Sequence, residues 1–191
     1  MSASETIVLA GGCFWCTEAV FKEVRGVLDI ESGYSNGQAT APTYEQVCTG
    51  ATGCAEVVKL VYDPAQISTR QILEIFFLVH DPTQLNRQGP DHGPQYRSAV
   101  FTSDPAERSA VQAYIAQLNG AKVYRKAIAT TVEPLPAFYP AEDYHQDYLT
   151  LHPKQPYIVF NDLPKIENLK KLFAADYRDK PALVRGPRVS N

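Results

Sequence analysis

A strand, a helix, two strands, a second helix and a further strand follow one another between residues 7 and 102. That order predicts an α+β fold, a ferredoxin-like two-layer α/β sandwich (split βαβ), with C-terminal additions. No internal repeat, low-complexity segment or linker interrupts residues 1–191. A single domain is therefore expected, with its core at about residues 6–175 and a weakly held tail at 178–191.

Each element has its own signal. Ile7-Val8-Leu9-Ala10 is an apolar run of strand length. Gly11-Gly12 turns the chain, and apolar residues 20, 21 and 24 then recur at helical spacing. Residues 27–34 alternate as a strand until Asn36-Gly37 breaks them. Residues 37–54, rich in Gly, Thr and Ala, read as a long loop. Glu56 to Asp63 is the clearest strand, β-branched and closed by Asp63-Pro64. Ser68-Thr69-Arg70-Gln71 forms a capping box for a helix running to about His80. A loop over 81–94 leads to a strand at 96–102. Asp104-Pro105-Ala106-Glu107 opens a helix that ends at Asn119-Gly120, and 127–133 read as a strand. Pro134, Pro136 and Pro140 then argue against regular structure until a short helical piece at 142–149. Asp162-Leu163-Pro164 precedes a last helix, 165–175.

A 191-residue chain with 45% hydrophobic and 20% charged residues is ordinary for a soluble globular domain. Its net charge of -3 argues against nucleic acid or an anionic membrane as the main partner. The longest apolar run, 75–79, is too short to span a bilayer, and the N-terminus has no secretory pattern. Four cysteines are too few for a disulfide scaffold, so a reducing, cytoplasmic compartment is expected.

The chemistry centres on Gly11-Gly12-Cys13-Phe14-Trp15-Cys16. Free amides at a helix start favour an anion, so a thiol there is expected to ionise below its usual pKa of about 8.5. Phe14 and Trp15 offer an apolar wall. Cys13 and Cys16 form a C-x-x-C with three readings. Zinc needs a second close pair, and Cys48 and Cys54 are too widely spaced. A thioredoxin-type pair fits the helix start but not the bulky residues between the thiols. The third reading is a substrate-attacking Cys13, with Cys16 a resolving thiol or a bystander. A Cys/His hydrolase is weaker still, because no histidine is placed to serve the first helix.

Three more stretches carry reactive groups. Tyr44, Cys48, Cys54 and Glu56 precede or open the clearest strand, where Cys54 and Glu56 share a face if both are extended. Glu56 is a candidate acid, although spacing alone fits a solvated carboxylate better. Asp91 beside His92 could orient a base, with Tyr96 as a donor, and an Asx turn explains Asp91 equally well. Residues 138–148 cluster three tyrosines with acids and His145, which fits surface aromatic packing.

Together, residues 11–15, 43–50, 53–56, 89–98 and 138–149 resemble the peptide methionine sulfoxide reductase A family, over roughly residues 6–175. The resemblance implies reduction of methionine-S-sulfoxide, free or in proteins, by a monomer recycled by thioredoxin or dithiothreitol, with no other cofactor and no metal. It implies that Cys13 attacks the sulfoxide sulfur and becomes a sulfenic acid. Glu56 would give a proton to the oxygen, and Tyr44 and Tyr96 would hydrogen-bond it. Phe14 and Trp15 would hold the methyl group, and Asp91 would help seat the substrate. A sulfoxide oxygen leaves poorly until protonated, and a glutamic acid that is protonated near neutrality needs a desolvated site. The chain departs from the family pattern at position 54, often histidine and here Cys54, and has no cysteine after it. The resolving candidates are then Cys16, one turn from Cys13 but expected to need helix unwinding, and next Cys54. Cys48 reads as structural.

Overall fold

The computed structural model describes residues 4–183. The chain forms β1 (Glu5–Gly11), α1 (Phe14–Lys22), β2 (Val27–Ser35), α2 (Tyr44–Cys48), β3 (Ala55–Tyr62) and α3 (Thr69–Val79). Next come β4 (Arg87–Gln88), β5 (Asp91–His92), β6 (Ser98–Phe101), α4 (Pro105–Gly120), β7 (Thr131–Glu133) and β8 (Phe138–Pro140). The chain then adds α5 (Tyr148–Leu151), α6 (Pro156–Asn161) and α7 (Leu163–Leu172).

Six strands make one mixed sheet in the order β7-β6-β1-β3-β2-β8, and β4 and β5 pair separately. β1 runs antiparallel to both β3 and β6, and β2 antiparallel to β3 and β8, while β6 and β7 are parallel. The α+β class expected from the sequence is the one observed.

Side-chain alternation explains why β1 reads as an unbroken apolar run. Ile7 and Leu9 join the helix-side core with Phe21 of α1, Phe76 of α3 and Leu169 of α7. Val8 and Ala10 point the other way, into a smaller cluster with Val57, Ala99 and Phe101 that Leu135 and Phe138 cover. A strand covered on both faces needs apolar residues at successive positions. The Ser68–Gln71 capping box forms as expected, the Ser68 hydroxyl accepting from Gln71 N and Gln71 Oε1 accepting from Ser68 N.

Five expectations need correction. The supposed loop at 37–54 contains α2, started by a second capping box in which Thr43 pairs with Gln46. Tyr96 lies in a 3-10 turn, Pro94–Tyr96, and the strand starts only at Ser98. The strand at 127–133 shrinks to 131–133. Pro140 ends β8, which pairs with β2 at the edge of the sheet, where the missing N–H costs no ladder bond to a further strand. Finally, the first residues of the supposed tail are pinned. Arg178 N donates to Glu23 O, its guanidinium donates to Lys22 O and Val27 O, and Ala182 N donates to Lys22 O. The rest of the expected tail, 184–191, lies outside the described residues. α6 was not anticipated. Gln155 caps it by accepting from Ile158 N, and Pro156 supplies its first position.

Candidate active site

The strand-turn-helix at residues 5–22 places Cys13 as the N-cap of α1, its carbonyl accepting from Cys16 N at 3.2 Å and Thr17 N at 3.4 Å. Gly12 makes the turn with φ of 93°, a conformation that suits glycine. β3 runs alongside through its pairing with β1 and β2, and Glu56 lies opposite Tyr34 in that register. The Glu56 side chain is 1% exposed and accepts the Phe14 N–H at 3.1 Å. Burial pushes its pKa up to about 8, opposed by the Phe14 hydrogen bond and reinforced by Asp91 and Cys16. A carboxyl that keeps its proton at neutrality therefore sits against the first amide of α1. This is the desolvated acid the sequence reading required, not a solvated carboxylate.

The ionisation expected of Cys13 is not what the structure produces. Burial raises the Cys13 thiol well above its ordinary value, and negative charge from Cys16, Glu56 and Asp162 adds to that. The helix-terminus argument fails here for a local reason. The Cys13 side chain makes no capping bond to the α1 amides, and the Phe14 amide is taken by Glu56. Cys16 is the thiol held below the ordinary range, first by a hydrogen bond from Cys13, then, against its burial, by Lys165, Asp162 and Tyr157. The two cysteines occupy the N-cap and N3 positions of α1, and each thiol acts on the other.

Two of the expected oxygen donors converge on the same place. Tyr96, in its 3-10 turn, is raised first by burial and then by the charges of Glu56, Cys13 and Asp91. Tyr44, at the first position of α2, is raised by burial, Cys48 and Glu56. Both phenols stay protonated and able to donate. Glu142 holds this side together, accepting from Tyr44 N and from the Tyr34 hydroxyl, each at 2.8 Å. Asp91 is part-buried on β5 and accepts from the Tyr157 hydroxyl at 2.5 Å, while its neighbour His92 is exposed.

Phe14 and Trp15 form one aromatic cluster. Phe14 is 1% exposed, its ring 5.8 Å from Tyr34 and 5.0 Å from His145. Trp15 stacks on Tyr148 at 3.7 Å, and its indole N–H donates to His145 Nδ1 at 3.0 Å. A histidine does serve the first helix, contrary to the sequence expectation. It holds Trp15 and not a sulfur, so no Cys/His pair forms. His145 is wholly buried and its accepting Nδ1 fixes the proton on Nε2, which points toward Glu142 at 3.9 Å.

The remaining cysteines separate. Cys54 is buried with its sulfur against Gly37, where an added Cβ would collide with it. Cys48 is exposed, beside Tyr44. All four thiols are unpaired. Among the described residues no group of three or more His, Cys, Asp or Glu could hold a metal ion, and no helix is long and apolar enough to cross a membrane. The sequence reading missed His145, Tyr157, Asp162 and Lys165 as parts of this site. The only signal for them was their setting, because the histidine lies among tyrosines and the aspartate at a helix start.

The chain as a whole is similar to known proteins. The family model described as peptide methionine sulfoxide reductase matches residues 5–177. The peptide methionine sulfoxide reductase MsrA 2 of Mesorhizobium japonicum is 53% identical over 182 residues, covering 95% of this chain and 93% of its own. Among solved structures, Mxr1 from Saccharomyces cerevisiae in reduced form is similar with a TM-score of 0.75 and 37% identity, covering 80% of this chain and 87% of that one. Mxr1 in complex with Trx2 is similar with a TM-score of 0.54 and 27% identity, covering 74% and 84%.

Proposed function

The chain belongs to the peptide methionine sulfoxide reductase family, and from that premise we propose that this oxidoreductase reduces methionine-S-sulfoxide, free and in proteins, through a Cys13 sulfenic acid. The observation that carries the reading is the protonated Glu56 carboxyl held on the Phe14 amide, one residue from the Cys13 sulfur.

In the first step Glu56 protonates the sulfoxide oxygen while the Cys13 sulfur, losing its proton, attacks the sulfoxide sulfur. The oxygen ends on Cys13 as S–OH and the thioether departs. Two electrons pass from the thiol sulfur to the substrate, and the thiol proton replaces the one Glu56 gave. Removing a well-placed general acid costs about 10²–10⁴-fold in rate. Tyr44 and Tyr96 aim donors at the same oxygen before the reaction begins, so they need no reorganisation. Phe14 and Trp15 take the methyl group, a contact worth about 1–3 kcal/mol, and Asp91 seats the substrate beside them.

Cys16 then resolves the sulfenic acid, giving a Cys13–Cys16 disulfide and water. Its place at N3 with Cys13 at the N-cap supports this order of candidates. Cys54, its buried sulfur packed against Gly37, is the next candidate. A thioredoxin dithiol, or dithiothreitol, restores both thiols, and the structural likeness to Mxr1 in complex with Trx2 supports that reductant. Unpaired thiols fit a reducing, cytoplasmic setting. No further cofactor, metal, nucleic acid or membrane enters the scheme. One catalytic domain acts as a monomer. We read its scaffold as ferredoxin-like, supported by the mutually antiparallel order β6-β1-β3-β2.

The test is consumption of each epimer by purified protein with dithiothreitol. Loss of the S epimer with the R epimer left intact is expected. Failure to consume the S epimer contradicts the reading.

A further inference from the structure

Asp162 occupies a helix-cap position and does not cap. It is the N-cap of α7, yet its side chain accepts no hydrogen bond from that helix, unlike an aspartate that serves as a cap. The side chain is wholly buried, and neither carboxyl oxygen has an aligned hydrogen-bond partner among the described residues. Lys165 is the third residue of the same helix, one turn on from Asp162, and it lines one seam with Cys16, so the three groups act on one another's charge. The Tyr157 hydroxyl lies 3.7 Å from the Cys16 sulfur and bridges it to Asp91. On the other side, a seam lined by Gly11, Phe76, His80 and Lys165 leaves no room for water against Cys16.

Charge in this dry interior is one-sided. Cys13, Glu56 from β3 and Asp162 are buried acids, part-buried Asp91 from β5 is a further one, and half-buried Lys165 is the cation that acts on Cys16 among the described residues. His80 adds no charge, because burial holds it neutral with a pKa of about 4. Tyr157 is likewise neutral, raised by burial and by both cysteines. Several buried acids around one cation cannot all ionise, so some must keep protons. Asp162 is one of them, pushed up to about 9 by burial and then by Cys16. A protonated carboxyl is a donor, and a thiolate is the acceptor that most needs one.

We propose that Asp162, as a neutral acid, and Lys165 are positioning residues that hold the Cys16 sulfur as the thiolate which attacks the Cys13 sulfenic acid. The proposal rests on the reading of Cys16 as the resolving thiol. The Cys16 sulfur bonds to the Cys13 sulfur and gives up two electrons as the S–O bond breaks. The departing hydroxide takes the Glu56 proton and leaves as water. Reduction by a dithiol returns two thiols, and Cys16 passes its proton back to Glu56. Asp162 keeps its own proton throughout, so it acts on the second step and not on sulfoxide reduction.

The experiment follows disulfide formation after one equivalent of methionine-S-sulfoxide, by quenched alkylation and mass measurement across pH, in wild type, Asp162→Leu and Cys16→Ser. Leucine fills the site without a donor, so in D162L at least tenfold slower disulfide formation is expected, with its pH midpoint moved upward and product methionine formed with much smaller loss. An unmoved midpoint and rate in D162L overturn the proposal. Should D162L not fold, the same midpoint is read in Lys165→Gln at the half-buried Lys165. An upward shift supports the proposal and an unchanged midpoint overturns it. C16S separates the two layers. Undiminished thioredoxin-dependent turnover there removes the resolving role and the proposal with it. Slowed turnover in C16S with an unmoved D162L removes the Asp162 role alone.

Discussion

Cys13 and Cys16 stand one turn apart at the start of one helix, and their surroundings differ in kind. Cys13 lies near Glu56 and Tyr96, with Tyr44 near both of those, and all three hold their protons. Cys16 faces Lys165, Asp162 and Tyr157, which favour negative charge on its sulfur. The contrast teaches that a helix terminus does not by itself decide which thiol ionises. Burial and the use of the first amide by Glu56 outweigh it at Cys13, and neighbours three residues along outweigh burial at Cys16.

The sharpest break in that comparison is removal of each sulfur. Cys13→Ser is expected to abolish sulfoxide reduction, whereas Cys16→Ser should still form one equivalent of methionine before stalling with thioredoxin, both read by single-turnover and steady-state product assays. Glu56→Gln comes next. It preserves an acceptor for the Phe14 amide but offers no acidic proton, so the single-turnover rate should fall by about 10²–10⁴-fold.

The pH dependence sharpens the same point. The Glu56 pKa is raised to about 8, so its proton is present below that value and lost as pH rises through it. Single-turnover reduction should therefore decline above about pH 8, and the decline should vanish in E56Q. The thiolate at Cys16 is favoured down to lower pH than for an ordinary thiol, so disulfide formation should persist into the acid side. A smaller effect is expected at the aromatic wall. His145→Phe keeps a ring but leaves the part-buried Trp15 indole N–H without its acceptor, a loss of about 0.5–1.5 kcal/mol. The resulting mobility of Trp15 should raise KM by about tenfold while kcat changes less, measured on the free sulfoxide.

Local signals in the sequence carried the fold where local physics decides it. The Ser68–Gln71 capping box was legible because a helical run follows it directly. The same box at Thr43–Gln46 went unread because the helix it starts is only one turn and a half long and surrounded by loop-forming residues. β8 was hidden by its proline, which an edge strand tolerates. At the site, Cys13, Glu56, Tyr44, Tyr96 and Asp91 were named from motifs, and the fold brings them around the start of α1. What could not be read was long-range. His145 reaches Trp15 across 130 residues, and Asp162 looks like any helix cap until its side chain is seen to accept no hydrogen bond from its own helix.

The most direct test treats reduced protein with one equivalent of methionine-S-sulfoxide without reductant, then maps the disulfide by mass spectrometry. A bond between Cys13 and Cys16, with Cys48 and Cys54 still open to alkylation once the chain is unfolded, is the expected result. A disulfide from Cys13 to Cys48 or Cys54, or an oxidised product that leaves Cys13 a free thiol, would contradict the division of labour between the two sulfurs.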